Sequence, residues 1–419
     1  MNALKIKSTD LLVVGGGPAG MTAAIFAARA GLSVVILERN GFLGKKLNIT
    51  GKGRCNLTNN CAPKIVIENT PRNGKFLYSS LTAFPPADTM AFFEGLGLPL
   101  KTERGNRVFP QSEDAKDVTG ALKAELRRLH VKTIEGRASE VLVENGAVSG
   151  VLLADGTALS ARAVVLATGG FSYPKTGSTG DGYAMAKRLG HEILPCVPSI
   201  VPLVSPDSIC KDLQGLSLKN VKASAYTNAG KLVYEDFGEL LFTHFGVSGP
   251  IVLSMSAHLR DFSSPYVLSI DLKPALDDKT LERRVLRDFE LYKNRELING
   301  LSDLLHRRMI DGIIERAGIS PGKKVHSVTR EERAALLREI RRFRIEITGT
   351  RSIDEAVVTS GGVSVREIEP KTMESKRVPG LFFAGELIDV DAYTGGFNLQ
   401  ISFATGAAAG KGAAARLAE

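Results

Sequence analysis

Gly15-Gly16-Gly17-Pro18-Ala19-Gly20 fits the pattern G-x-G-x-x-G, and an acid, Glu38, stands where the next apolar run ends. Three small residues at that spacing bring a backbone close to an anion. Gly15 makes a tight turn, Gly17 lets the main chain approach a diphosphate, and Gly20 lets the following helix pack on its strand. The helix beginning at Pro18 and Ala19 then offers unpaired N–H groups and its dipole to the negative charge. Glu38 would accept a hydrogen bond from a ribose 2′-hydroxyl and repel a 2′-phosphate, so the site should take FAD or NAD rather than NADP. The spacing has meaning only in context, and the context is present. TDLLVV is a short apolar strand, PAGMTAAIFAARAG an alanine-rich helix, and LSVVILER a second strand, which together read as a β-α-β unit.

Six residues after Glu38 comes GKKLNITGKGRCNLTN, residues 44–59, which has almost nothing with which to build a core. Lys46 and Arg54 supply positive charge, Gly51 and Gly53 allow close approach of N–H groups, and Thr50 and Asn56 add neutral donors. The stretch reads as a cradle for the far portion of an extended anionic cofactor. Cys55 is read as a small residue beside that cofactor. Cys55 and Cys61 enclose five residues, whereas the redox disulfide of thiol-disulfide flavin reductases encloses four, and an active disulfide is the less favoured alternative.

The elements that must position these residues follow from periodicity. MAFFEGLGLPLKTERGNRVFP reads as a helix and a short hairpin, and DAKDVTGALKAELRRLH as an amphipathic helix with an acidic first turn. ENG and ADG are hairpin turns in a meander that ends in the buried strand AVVLATGG, whose Thr168, Gly169 and Gly170 would pass close to the adenosine-diphosphate half of the cofactor. Asp181, in GSTGDGYAMA, is either a helix N-cap or a ligand contact. Prolines 195, 198, 202 and 206 mark a change of composition, and 192–275 reads mostly as strand. Charged helices run from 277 to about 340, after which strands return, closing with VPGLFFAGE and a small-residue helix expected to begin near Ile401.

The chain has 419 residues, 43% hydrophobic and 24% charged, with a net charge of +9, so a large soluble core of two or three domains is expected. The basic block at 282–344 has few aromatics and there is no tryptophan, which argues against stacking on nucleic acid. The N-terminus, MNALKIKSTDLLVV, lacks the layout of a signal peptide. No run reaches the roughly 18 apolar residues of a membrane span. Four cysteines without a C-x-x-C pair suggest a reduced, cytoplasmic protein. Metal-ligand spacing and a G-x-S-x-G elbow are both missing.

Five motifs in order, GKKLNITGKGRCNLTN, LATGGFSYPKTGSTGDGY, ELLFTHFGVSGP, TMESKRVPGLFFAGE and DVDAYTGGFNLQISFATG, resemble the signatures of the BaiN/RdsA-type FAD-dependent oxidoreductases. That group includes proteins described as an aminoacetone oxidase and as a bile-acid dehydro-steroid reductase. The resemblance covers essentially the whole chain. It implies an α/β fold with a discontinuous Rossmann-like FAD-binding domain of glutathione-reductase type, a β-barrel-like domain and a small helical insert, and the blocks read from composition agree: 1–191 with 356–419, 192–275 with 341–355, and 276–340.

The resemblance also gives Gly385 and Glu386 a place against the ribityl chain and diphosphate. Gly395, Gly396, Phe397, Asn398, Leu399 and Gln400 would lie before a helix whose N–H groups face the pyrimidine edge of the isoalloxazine. Arg39, Ala138 and Asp389 complete the candidate cofactor contacts. An acid or base beside the flavin is expected, and His244, in THFGVSGP, and Tyr393, directly before the TGG turn, are the candidates.

The leading expectation is a reductase of a conjugated carbonyl or steroid-like compound, with NADH or NADPH as a transient co-substrate, because 192–340 holds no second dinucleotide fingerprint. The alternatives are an oxidase of a small amine using oxygen and a flavin-containing RNA-binding protein. Small-molecule substrate, no membrane and little role for nucleic acid complete the reading, with the oligomeric state open.

Overall fold

The computed structural model describes residues 8–419; the first seven, on which the absence of a leader was partly read, lie outside the described residues. The aliphatic runs Thr9–Val14 and Val34–Glu38 are buried almost throughout and pair in parallel, Val13 opposite Ile36. Strands apolar on both faces need cover on both sides, and parallel pairing with crossover helices provides it. Lys132–Glu135 extends this sheet beyond Val34–Glu38, while Ala158–Leu166 and then Leu381–Phe383 extend it on the other side, all parallel. Ala158–Leu166 changes partners along its length. Ala158, Leu159 and Ser160 pair antiparallel with the Ala138–Glu144 and Ala147–Leu153 meander, while residues from Ala161 onward pair with Thr9–Val14.

The helix Pro18–Arg29 starts at a proline, whose missing N–H is no loss in a first turn. It lies along the chain's last helix, Phe397–Ala418, in backbone contact. A Cβ on Gly406 would overlap the Ala19 carbonyl, and one on Gly410 would overlap that of Ala23. The offset along the chain is the same for both pairs, so the helices run parallel. Ala19 is the second residue of its helix and Gly406 the tenth of its own. The two N-termini are therefore staggered by eight residues, roughly 12 Å at 1.5 Å per residue. The last helix begins at Phe397 rather than near Ile401, because Gly396, at φ 96°, caps it and Gln400 N–H already donates to the Gly396 carbonyl.

The chain forms two compact units, 1–199 with 353–419, and 200–352. The strand Ile193–Ser199, expected in the second domain, belongs to the first unit, where it pairs antiparallel with Val358–Val363. Its prolines are tolerated because the pairing is only two-stranded and breaks register between Leu194 and Val197.

In the second unit seven strands pair antiparallel in the order 343–347, 266–271, 217–227, 232–243, 246–248, 203–204, 349–350. The two edge strands are separated in sequence only by Thr348, so the sheet must curl until its edges nearly meet. This is the barrel-like element. The helices expected as a separate insert, Asp278–Leu291, Arg307–Arg316 and Arg330–Arg341, share one core with it: Leu281, Ile310 and Ile340 cluster with Phe242, Ile270 and Phe343. No helix among the described residues is long and apolar enough to cross a membrane.

The helix seam gives a direct test. Gly410→Leu forces the two backbones apart and should lower stability by about 2 kcal/mol or more. Gly120→Ala, in a helix with open space where its Cβ would point, should instead stabilise by about 0.5–1 kcal/mol. Urea midpoints of the two variants would decide it.

Candidate functional site

Gly15 holds a left-handed φ of 105°, and its N–H donates to the Leu37 carbonyl at 2.9 Å. A side chain there would overlap the Ala167 carbonyl, and one at Gly20 would overlap that of Gly15. A Cβ on Gly17, by contrast, meets nothing within 4 Å. The first and last glycines of the fingerprint thus serve strand–helix packing, and the middle one leaves space. Glu38 is buried beside the turn: one carboxylate oxygen accepts from Gly16 N–H at 2.7 Å, and the other accepts from the main chain and side-chain amide of Asn40 at 2.8 and 2.7 Å.

That space is part of a cavity of about 620 Å³. Gly15, Gly17, Pro18 and Ala19 border it, as do Glu38, Arg39 and Ala138. Lys46, Thr50, Gly51 and Asn56 come from the long loop, and Thr168 and Gly169 from the end of the third strand. The C-terminal segment contributes Gly385, Glu386, Tyr393, Gly395, Gly396, Asn398 and Leu399. Two chain ends more than three hundred residues apart therefore line one site.

Eight expected contacts do not border it, Gly53 of the long loop among them. Gly20 sits beneath the turn. A side chain at Gly170 would overlap Thr359. Arg54 points to Glu103 and Glu113 and stacks over Phe109, 4.2 Å from the ring centroid. Cys55 is fully buried, and burial pushes its thiol up to about 12. Asp389 is held by Arg72 and by the Asn73 amide, the latter at 2.8 Å. Phe397 turns into the core, and Gln400 is buried, accepting from Thr58 at 2.6 Å and donating to the Phe84 carbonyl at 3.0 Å. The cause at 397 and 400 is helical: once the helix starts at Phe397, these two positions fall on its inner face. His244 belongs to the second unit, where it is exposed with its ring edge-on to Phe245.

The cavity's charges are largely paired. Asp181 takes a two-pronged contact from Arg137 at 2.9 and 2.8 Å and a third from Arg39 at 3.2 Å, and Arg137 foremost holds its carboxyl below the usual range. The N-cap of that helix is Gly180, so Asp181 is not the cap. Lys46 Nζ donates to Glu386 at 2.6 Å and to Ser172 Oγ at 2.7 Å. Ser172 Oγ and Thr359 N–H in turn donate to the other Glu386 oxygen, at 2.7 and 2.9 Å. Burial alone would raise the Glu386 carboxyl, but the Lys46 ammonium and these donors bring it below its ordinary value. Arg137 and Tyr173 also border the cavity and were not foreseen: Arg137 lies outside the quoted motifs, and Tyr173, inside LATGGFSYPKTGSTGDGY, was given no role there.

The residues present fit an elongated ligand with an anionic middle. Two helix N-termini open toward one space, a glycine leaves clearance, and two buried polar atoms bordering it, Thr168 Oγ1 and Asn56 Oδ1, have no partner among the described residues. Buried polar atoms without partners are costly, and a bound ligand would satisfy them. Among the described residues no cluster of acids, histidines and cysteines could hold a metal ion.

A family model described as HI0933-like protein Rossmann domain matches residues 9–412. The chain belongs to this family. It is 32% identical over 409 residues to a 3-dehydro-bile acid delta(4,6)-reductase of Clostridium scindens, covering 96% of this chain and 98% of the relative. It is 29% identical to a ribosomal RNA dihydrouridine synthase of Escherichia coli, over 93% of this chain and 94% of that one. Among solved structures, a 3-ketosteroid-Δ4-(5α)-dehydrogenase from Rhodococcus jostii shares the fold, with a TM-score of 0.51, 17% identity and 99% of each chain covered. The fold is the Rossmann-type FAD-binding fold, and this member of the HI0933-like family is an FAD-dependent oxidoreductase.

Two outcomes are expected. Gly17→Val should fold with a melting temperature within a few degrees of the parent, since no protein atom stands in its way, yet purify with far less FAD, as read from visible absorbance. Cys55 should resist iodoacetamide at pH 8 in the native protein and react only after denaturation, which peptide mass spectrometry would report.

Proposed function

We propose that this protein is a reductase that saturates a carbon–carbon double bond conjugated to a carbonyl, with NADH or NADPH as the electron source. The observation that carries this reading is the end-to-end likeness to a reductase of a 3-oxo, 4,6-unsaturated steroid acid. A uracil ring, the substrate implied by the name of the second relative, also presents a double bond conjugated to a carbonyl. One chemistry serves both: a hydride adds to the carbon β to the carbonyl, a proton to the α carbon, and negative charge passes through the carbonyl oxygen. Bound FAD, when reduced, supplies the hydride from N5 and is left oxidised for the nicotinamide to refill.

In this reading the amides of Gly17 and Ala19 hold the diphosphate and Glu38 the ribose. Gly395, Gly396 and the first turn of Phe397–Ala418 face the pyrimidine edge of the ring, where amides favour negative charge. Asn398 supports that turn, because its side chain clamps Ala392 through both amide functions, at 2.9 and 2.7 Å. Tyr393, bordering the cavity, is the proton donor to the α carbon, with His244 as the second candidate. The strands of the second unit pair antiparallel throughout, so the nicotinamide has no β-α-β domain there and docks transiently. The four free cysteines suit a reducing cytoplasm.

A second reading, uridine in RNA as substrate, draws on the net charge of +9 and the second relative. The test is anaerobic. Purified holoenzyme is mixed with NADPH until the visible flavin absorbance bleaches, and a 3-keto-4,6-diene steroid or a ribosomal RNA transcript is then added. Return of colour with loss of the steroid's conjugated ultraviolet band supports the leading reading. Return only with RNA selects the second. Failure to bleach, with peroxide released from a small amine in air, overturns both in favour of an oxidase.

A further inference from the structure

Tyr173 stands out from the other residues bordering the cavity. It is a bulky aromatic held at φ 54°, ψ 59°, in the left-handed region that such residues rarely occupy. Its side chain is not buried in compensation: the residue is 36% exposed, Ile49 is 47% and Val357 40%, and all three border the cavity. Exposed apolar side chains that also line a cavity mark its mouth. Strain of this kind persists where surrounding structure enforces it, and it gathers at functional sites.

The Tyr173 carbonyl accepts from the Thr176 N–H at 2.8 Å and from its Oγ1 at 2.7 Å, and Lys46 stands at the ring. The ammonium is bonded to Ser172, the residue just before Tyr173, and to Glu386, and it lies 5.8 Å from the centre of the Tyr173 ring. An ammonium has three N–H donors. Two are taken by Ser172 and Glu386, and the third has no acceptor among the described residues. Because Glu386 neutralises the lysine, the pair is a weak attractor for a diphosphate. It remains a well-fixed donor for a neutral oxygen that gains charge only during reaction, which is the kind of group that lowers a barrier.

We propose that Tyr173 and Lys46 form a substrate clamp at the cavity mouth, the ring stacking on the plane of a conjugated carbonyl compound and the third ammonium N–H meeting its carbonyl oxygen. The inference rests on the conjugated-carbonyl reading above. Ile49 and Val357 extend the apolar seat, which suits a fused-ring hydrocarbon better than a charged substrate. The ammonium keeps its proton: it stabilises the oxygen as charge builds there, and the α-carbon proton comes from elsewhere.

The experiment uses FAD-loaded protein and a 3-keto-4,6-diene steroid as probe. Equilibrium binding is read from the perturbation of the oxidised flavin spectrum, and turnover is measured with NADPH. Tyr173→Leu should weaken binding and raise KM by about tenfold, and Tyr173→Phe should restore most of it. Tyr173→Gly relieves the left-handed backbone and should melt no earlier than the parent while showing the same loss of affinity. Lys46→Met should lower kcat by about 10²–10³ with a smaller change in KM, and Lys46→Arg should recover part of it. FAD content should stay at the parental level in all of these. Loss of FAD in Lys46→Met or Tyr173→Leu would assign the pair to the cofactor and overturn the clamp, as would unchanged kinetics. A parent protein that neither binds nor reduces the steroid would instead sink the conjugated-carbonyl reading itself, and the clamp with it.

Discussion

Everything in the candidate site depends on two helices touching backbone to backbone. Because Gly406 and Gly410 carry no side chains, the last helix can lie against the Ala19 and Ala23 carbonyls of the first. That contact fixes the stagger between their N-termini, and with it the separation between two clusters of unpaired amides along one ligand. Each cluster alone is an ordinary helix end. Held in parallel and offset, they define the length and polarity of an extended molecule with negative charge at two points. The chain's two ends meet here because the parallel sheet is assembled from both, with Leu381–Phe383 laid against the strand that also pairs with Thr9–Val14.

The distribution of charge follows from this. An anion gripped by main-chain amides does not need many lysines, and the cations around the cavity are mostly engaged with acids. Arg39 and Arg137 meet on Asp181, and Lys46 meets Glu386. Paired charges cost less to desolvate than lone ones and keep the wall rigid. Ile49, Tyr173 and Val357 add apolar side chains to that wall. A site lined with free cations would have bound phosphates indiscriminately.

The helical block of the second unit follows the same packing logic at a larger scale. Its amphipathic helices carry apolar stripes too narrow to form a core by themselves, so Leu281, Ile310 and Ile340 complete the interior under the curled antiparallel sheet. Composition marks the change from strand to helix but cannot say whether the two share an interior, because a stripe of leucines and isoleucines reads alike whatever it packs against.

The β-α-β unit, the glycine fingerprint, Glu38 at the end of the second strand and the meander were legible in the sequence because each depends on neighbours within a few dozen residues. Periodicity of two or of 3.6, turn chemistry and helix starts are local physics. The roles of Arg54, Cys55, Asp389 and Gln400 were not legible, since each is decided by a partner far along the chain: Glu103, the buried core, Arg72 and Thr58. A lysine or arginine in a glycine-rich loop shows which charge is available and not which acid claims it. Residue type and spacing determined that a two-phosphate cofactor is bound and roughly where. Tertiary structure alone decided which side chains still face that space, because burial and pairing are properties of what meets across hundreds of residues.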